Sequence, residues 1–235
     1  MPSTTPRPPG NLILSRLPPA DLDSLLPHLQ RVELPLRKRL ETKNRTIPYV
    51  YFVDSGIVSV VVGTMGHASV EVGIVGREGI TGGCVVMGVD RSPYETFVQA
   101  PGEARRITVV ELRKALQTNA ELRRLLLRYV YSFSVHVAFT ALANGRAKLE
   151  ERLARWLLMA HDRLDCDEMP FTHEFLALML GVRRPGVTVA LKLLEQAGLI
   201  HTQRSVILVL DRDGLIDIAN GIYGVPETEL RRMTD

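Results

Sequence analysis

The segment from residue 171 to residue 195 constrains the fold of this chain more than any other, because it divides into two short apolar helices around Gly181. Thr172 suits the N-cap of the first helix. The residues predicted to form the buried stripe of that helix are Phe175, Leu176, Met179 and Leu180. Gly181 can adopt the left-handed backbone conformation that a tight turn needs. Two helices joined by such a turn predict a helix-turn-helix.

Pro185 indicates where the second helix begins. Proline is favoured at the first helical position, and it disfavours helical geometry in the residue before it, here Arg184. We therefore expect the second helix to start at Pro185. The residues that it is expected to bury are Val187, Ala190, Leu191 and Leu194. Because the N-terminal part of such a recognition helix enters the major groove of DNA, its outward side chains are candidates for base contacts.

The DNA-facing residues predicted from this register include positively charged side chains immediately before the second helix, on it and beyond it. The predicted set is Arg183, Arg184, Gly186, Thr188, Lys192 and Arg204, with Val189 as a further outward position. Arginine can pair with guanine edges or phosphate, and threonine can contact a thymine methyl group. Lys192 is expected to hold the DNA backbone rather than read a base. The alternative is that these are solvated charges on a small helical pair.

The stretch from residue 199 to residue 210 supports the helix-turn-helix interpretation. Two short β-rich runs flank a polar turn at residues 203–205, which predicts the hairpin, or wing, that often accompanies this motif. Arg204 at its tip is placed to meet phosphate. Asp211 is expected to cap a last helix, and the tail after Pro226 is expected to be loose.

The first half of the chain has a different pattern. After Pro18, which opens a short predicted helix, the sequence from Val32 to about Ile107 consists of short β-rich runs broken by glycine or proline. Many short strands at this spacing predict a compact barrel or a two-layer jelly roll.

A helix predicted from about Ala120 to Ala143 is apolar on almost every face, so it must be covered on several sides. One seam advances by alternate steps of four and three residues. The dimer-interface residues predicted on this seam are Leu122, Leu126, Tyr129, Phe133, His136 and Thr140. The pattern alone leaves two interpretations open: a central core helix of one chain, or a helix packed on its own barrel and against its twin in a homodimer. Asn144 and Gly145 are expected to end it.

Composition and charge narrow the class of protein. A chain that is 46% apolar and 23% charged is typical of globular proteins. The formal charge of +3 comes from 17 basic and 12 acidic residues in 1–145 and from 12 basic and 14 acidic residues in 146–235. Bulk charge therefore does not identify a DNA-binding end. The local charges identify it, because residues 181–204 contain four basic residues of the predicted DNA-facing set and only one acidic residue, Glu195.

Several functional classes find no support. Cys84 and Cys166 are too few and too far apart for a structural zinc site or a four-cysteine cluster, so no metal or cofactor is expected. No Walker loop, nucleophile elbow or histidine-rich metal motif occurs, so we expect no enzyme. The chain has no run of about eighteen uncharged apolar residues, and its start is proline-rich rather than basic, which predicts a cytoplasmic protein with no membrane contact.

Three stretches carry a family resemblance: LSRLPPADL at 14–22, VYFVDSGIV at 50–58 and LEQAGLI at 194–200. With them the chain resembles the Crp/Fnr superfamily of bacterial transcription regulators over nearly its full length. The resemblance implies an α+β fold with an N-terminal β-roll sensor domain similar to cyclic-nucleotide-binding domains (1–118), a dimerisation helix (119–145) and a C-terminal winged helix-turn-helix domain (146–235). The β-roll is a double-stranded β-helix, or jelly roll.

The resemblance also implies a function. It implies a homodimeric, sequence-specific DNA-binding regulator whose partners are double-stranded DNA with an inverted-repeat operator, a second copy of the chain, and RNA polymerase. The recognition helix has RPGVTV at 184–189 where the family commonly has Arg-Glu-x-x-x-Arg, so no particular operator is expected. The alternative is a sensory or scaffold dimer with a degenerate DNA-binding domain, because residues 146–235 are not net basic.

The expected effector pocket departs from the family pattern. Members that respond to cyclic AMP have a Gly-Glu pair followed by Arg-Ser-Ala in a phosphate-binding cassette. Here the corresponding residues 81–84 read TGGC, and proline follows the Arg-Ser pair. The pocket is assigned to Gly82, Gly83, Arg91 and Ser92, and no cyclic-nucleotide binding is expected. His67 is the one β-roll histidine that resembles a haem ligand, but a lone histidine in a turn is more typical of a polar loop.

Overall fold

The computed structural model describes residues 9–63, 69–164, 166–204 and 206–234. His67 and the last residue of the predicted 203–205 turn lie outside the described residues. The chain begins with a β-rich half, continues through one long helix and ends in a mostly helical half. This order confirms the α+β class predicted from the sequence.

The N-terminal half consists of two antiparallel sheets preceded by helix α1 (Pro19–Leu25). Its strands are β1 (Gln30–Leu34), β2 (Arg39–Glu41), β3 (Tyr49–Val53), β4 (Ile57–Val62), β5 (Val70–Val75), β6 (Glu95–Ala100) and β7 (Gly102–Thr108), with a single-turn helix α2 (Gly83–Val86) between β5 and β6. The sheet orders are β1-β7-β3 and β2-β6-β4-β5. Strand β3 is buried at four consecutive positions, so both of its faces are covered, and helix α3 is among the elements that contact it.

The turn between β3 and β4 explains one of the sequence stretches that suggested a family. Gly56 has a φ of +84°, which favours glycine. A Cβ at this position would lie 2.6 Å from the carbonyl oxygen of Ala100. Glycine is therefore required here both for backbone conformation and for the close approach of β6.

The long helix α4 (Ala120–Arg146) follows α3 (Val109–Thr118). Asn119 caps it, because its side-chain oxygen accepts a hydrogen bond from the backbone N–H of Leu122 at 2.8 Å. The prediction that Asn144 and Gly145 end the helix was wrong. Neither residue adopts a positive φ, so the helical hydrogen bonds continue to the cap at Ala147.

The C-terminal half contains the predicted pair of short helices. Its elements are α5 (Leu149–Leu164), β8 (Glu168–Met169), α6 (His173–Leu180), α7 (Arg184–Gln196), β9 (Ile200–Gln203), β10 (Val206–Val209), α8 (Arg212–Ile218) and α9 (Val225–Thr234). Asp211 caps α8 as expected, since it accepts from the N–H of Gly214 at 2.9 Å. The expectation of a loose tail was wrong: α9 is helical and packs against α4.

The two halves share one buried core. Ile57, Ile74 and Ala100 of the β-roll belong to the same apolar cluster as α5, α6 and α7. Polar contacts also cross this junction. The indole N–H of Trp156 donates to Glu71 at 2.8 Å, and the buried pair Arg163 and Glu78 is separated by 2.7 Å. The helix-turn-helix is therefore held directly on the β4–β5 face of the roll.

Candidate nucleic-acid interface

The helix-turn-helix is built as its sequence predicts at both ends of α6. The hydroxyl of Thr172 accepts from the N–H of Phe175 at 3.1 Å and caps the helix. Gly181 ends it with a φ of +63°. Helix α7 begins at Arg184, one residue earlier than predicted, because Arg183 takes the extended cap conformation and Pro185 occupies the second helical position.

Helix α7 has one buried face and one exposed face. The buried residues are Val187, Ala190, Leu191 and Leu194, as expected from the sequence. The exposed side chains include the charged residues Arg183, Arg184 and Lys192. Val189 is 58% exposed between them. An apolar side chain in this position can contact a thymine methyl group, so Val189 joins the candidate surface.

Gly186 does not belong to this surface. It is half-buried, and a Cβ at this position would lie 3.1 Å from a methyl carbon of Leu149 at the start of α5. Its place in the predicted DNA-facing set is not consistent with this geometry. The glycine instead allows α7 to pack closely against α5.

Thr188 is also engaged within the protein. Its hydroxyl donates to the backbone carbonyl of Arg184 at 3.2 Å, and the Nδ1 atom of His173 lies 3.0 Å from the same oxygen. The hydroxyl thus links the start of α6 to α7, which leaves mainly its methyl group for DNA. His173 was missed by the sequence reasoning, because only the packing of α6 on α7 brings these residues together.

The wing is the β9–β10 hairpin, and it is attached to the last turn of α7. The carboxylate of Glu195 accepts from the backbone N–H of Thr202 at 2.8 Å and from its hydroxyl at 3.1 Å. These bonds, led by the backbone one, lower the pKa of Glu195. The single acid of the basic segment therefore positions the wing. Arg204 lies exposed at the tip with a φ of +38°.

The seam predicted as a dimer interface lies mostly inside the chain. Leu122, Leu126, Tyr129 and His136 are each at most 6% exposed, while Phe133 and Thr140 are half-buried. The Tyr129 hydroxyl donates to the carbonyl of Ile80 at 3.1 Å. Their assignment to a partner contact does not agree with this burial. The opposite face of α4 is exposed, with a four-and-three spacing, at Leu127, Tyr131, Ser134, Ala138, Ala141 and Gly145.

Three of the four residues assigned to the effector pocket line one cavity, and the fourth does not. Gly82, Gly83 and Ser92 line a cavity of about 270 Å³ between the β-roll and α4. Arg91 is not among the residues that line it; its side chain is 66% exposed and lies 3.8 Å from Asp90. Within the part of the chain that the structure describes, no group of three or more histidine, cysteine or acidic side chains is placed to hold a metal ion.

A two-layer β-roll, a long helix and a winged helix-turn-helix, in this order, define the fold class of the chain. Comparisons with known proteins bear on this class. Residues 151–218 match the model of the Crp-like helix-turn-helix domain. FixK2 from Bradyrhizobium japonicum is similar in structure, with a TM-score of 0.71 and 18% sequence identity over 81% of this chain and 96% of that chain.

Two further solved structures show the same likeness. A putative Crp/Fnr-family regulator from Eubacterium rectale has a TM-score of 0.68 and 16% identity over 87% of this chain and 96% of its own. The c-di-GMP-responsive regulator CLP from Xanthomonas campestris has a TM-score of 0.65 and 17% identity over 81% of this chain and 98% of its own. Among curated proteins, none matches the sequence.

Residues 151–218 thus match a Crp-like helix-turn-helix domain, and the chain as a whole has the fold of the Crp/Fnr transcription regulators. This confirms the fold that the resemblance implied.

Proposed function

We propose that this protein is a homodimeric, sequence-specific DNA-binding transcription regulator of the Crp/Fnr type, and not an enzyme. The observation that carries the proposal is the exposed N-terminal face of α7, where Arg183 and Arg184 lie on a Crp-like helix-turn-helix. The setting is the cytoplasm, with an inverted-repeat operator and RNA polymerase as the other partners. The domain division of 1–118, 119–145 and 146–235 into sensor, dimerisation helix and DNA-binding domain is part of the proposal.

DNA binding would divide between base readout and backbone contact. The start of α7 enters the major groove, where Arg184 reads a guanine edge and Val189 meets a thymine methyl group. Lys192, further along the helix, and Arg204, on the wing, neutralise phosphates. The backbone N–H of Arg184, at the start of α7, adds a further phosphate contact, because Pro185 has no N–H and that of Gly186 donates to the carbonyl of Arg183 at 3.0 Å.

Dimerisation would use the exposed face of α4 rather than the seam that the sequence suggested. Leu127 is 47% and Tyr131 is 59% exposed, which is unfavourable for large apolar groups in water. Ser134, Ala138 and Ala141 continue the face with small side chains that let a second helix approach closely. By length and composition α4 could also cross a membrane. Its inner face, however, packs on the β-roll and α9, so we interpret the exposed strip as a protein contact.

Two assays test this function. Recovery of bound fragments from genomic DNA should yield an inverted repeat. Binding isotherms should then show a higher affinity for that operator than for a scrambled duplex at every salt concentration. The alternative, a sensory dimer with a degenerate DNA-binding domain, predicts a dimer that recovers no common sequence. Equal affinity for the operator and the scrambled duplex would refute sequence-specific binding.

The proposed regulator does not respond to cyclic AMP or cyclic GMP. The absence of a cationic side chain for the phosphate supports this. Arg91 is the arginine nearest to the expected cassette, but it does not line the cavity and lies beside Asp90. Calorimetric titration with either nucleotide should give no saturable heat, and micromolar binding of either would refute this part of the proposal.

A further inference from the structure

The cavity between the β-roll and α4 has a lining that differs from a phosphate site. Most of its wall is apolar, formed by Val60, Val75, Ile80, Met87, Val130, Phe133 and Val137. Its volume of about 270 Å³ lies just below the range of pockets for drug-sized ligands, roughly 300–1,000 Å³. A ligand of this cavity is therefore small, about one ring in size.

Glu41 is the polar group that distinguishes this wall. It lies on β2, is only 6% exposed and lines the cavity. Its carboxyl group accepts a hydrogen bond from the N–H of Gly82 at 2.7 Å, and the hydroxyls of Thr81 and Thr96 also hydrogen-bond to it. Burial raises the pKa of Glu41, and these hydrogen bonds oppose the rise. Three donors hold the carboxyl group in place, and a carboxylate with about four acceptor positions has room for one more.

The described residues that line the cavity include no lysine, arginine or histidine. A phosphate or carboxylate ligand would lose its hydration without gaining a counter-charge, and it would lie near the Glu41 carboxyl group. Anions are therefore disfavoured. A neutral hydroxyl or amino group, by contrast, can donate to Glu41 while the apolar wall covers the rest of the ligand.

We propose that this cavity binds a small, mostly apolar molecule of about one ring that bears no negative charge and donates a hydrogen bond to Glu41. Its role as the effector that controls DNA binding rests on the proposed function. Ligand binding itself does not depend on the proposed function, so it is measured on the full chain without DNA.

Calorimetric titration with four matched probes tests the proposal. The probes are para-cresol, para-toluidine, para-methylanisole and para-toluate. We expect saturable binding of the first two, which carry a hydroxyl or an amino donor. Para-methylanisole, which lacks a donor, should bind about tenfold more weakly, and the anion para-toluate should not bind.

Two variants locate the binding. Glu41→Gln should weaken para-cresol about tenfold and leave para-methylanisole unchanged, whereas Glu33→Gln, on the exposed part of β1, should change neither. If Glu41→Gln does not fold, Val137→Phe provides the test, because the larger ring fills the cavity from α4 and should abolish binding of every probe. Absence of para-cresol and para-toluidine binding, binding of para-toluate at least as tight, or para-cresol binding that survives Val137→Phe would overturn the proposal.

Discussion

At the scale of single residues, Glu71 is a buried carboxyl group of the β-roll that accepts a hydrogen bond from Trp156 of the C-terminal half. Ser59 has a single hydroxyl proton, yet its oxygen lies 2.5 Å from Glu71 and 3.0 Å from the side-chain oxygen of Gln99. Turning the Gln99 amide removes the conflict, because its otherwise unpartnered Nε2 atom then donates to Ser59 while Ser59 donates to Glu71. Burial is the main reason that the pKa of Glu71 is raised to about 7, although Ser59 and Trp156 hydrogen-bond to it.

This raised pKa predicts a loss of stability as pH rises. The folded protein holds the Glu71 proton more tightly than the unfolded chain, whose glutamate titrates near 4.5. The resulting stabilisation is complete below that value and is lost as pH rises through about 7. The unfolding free energy of wild type should therefore fall by up to about 3 kcal/mol between about pH 5 and about pH 8, and Glu71→Gln should not show this fall.

Urea unfolding of both proteins at the two pH values measures this difference. Glu33→Gln, which changes an exposed glutamate in the same way, is the control and should follow wild type. Parallel pH dependence of Glu71→Gln and wild type would show that Glu71 does not titrate in this range.

At the scale of elements, α7 and the wing predict two kinds of DNA-binding defect. Arg184→Ala should cost about 1–3 kcal/mol on the operator and relax the preference at one base pair per half-site. Lys192→Ala and Arg204→Ala should weaken all sequences alike. Each should reduce the salt slope by about 1 for every phosphate that the variant no longer neutralises, and by twice that in a dimer.

A salt series of binding isotherms on operator and scrambled DNA separates these defects. Gln203→Ala, next to Arg204 on the wing but uncharged, serves as the control for the salt slope. The division of roles fails if Arg204→Ala changes base preference while the salt slope stays the same, or if Arg184→Ala changes neither.

Helix α4 gives the second prediction at this scale. Ala138→Glu places a carboxylate at the centre of the proposed interface, where a partner helix would remove its water. We expect a monomer in sedimentation at low micromolar concentration. Gln117→Glu, which adds the same charge on the exposed side of α3, should remain dimeric. A dimeric Ala138→Glu protein would place the interface elsewhere.

Helix α4 also shows what sequence periodicity can and cannot predict. A four-and-three seam marks a face that must be covered, but two such seams run along this helix, and their spacing does not say which one packs on the chain itself. The same limit applies to Gly186, where only the position of Leu149 reveals an inward contact. By contrast, Thr172, Gly181 and Asp211 were assigned correctly, because helix caps depend on local geometry.

At the scale of the whole molecule, the junction between the β-roll and the C-terminal half couples the proposed sensor to the proposed DNA-binding surface. Trp156 and Glu71 meet across it, as do Arg163 and Glu78, and all four side chains are buried. The two halves cannot separate without exposing this core and unpaired charges, so they are expected to move together unless a ligand or partner offsets that cost.

The arrangement of two such protomers predicts the spacing of the operator. A symmetric dimer presents its two α7 helices on one face of the duplex, with half-site centres about 34 Å apart, or one helical turn. Inserting about five base pairs between the half-sites rotates one of them to the opposite face of the DNA. Because the junction holds each helix-turn-helix on its own β-roll, the dimer cannot follow that rotation, and affinity should fall to that of a single half-site. The Ala138→Glu protein, as a monomer, should bind the original and the lengthened operator equally. Gel-shift titrations of both proteins on both duplexes provide the measurement, and a wild-type affinity that is insensitive to the insertion would mean that the two DNA-binding halves are not held at a fixed distance.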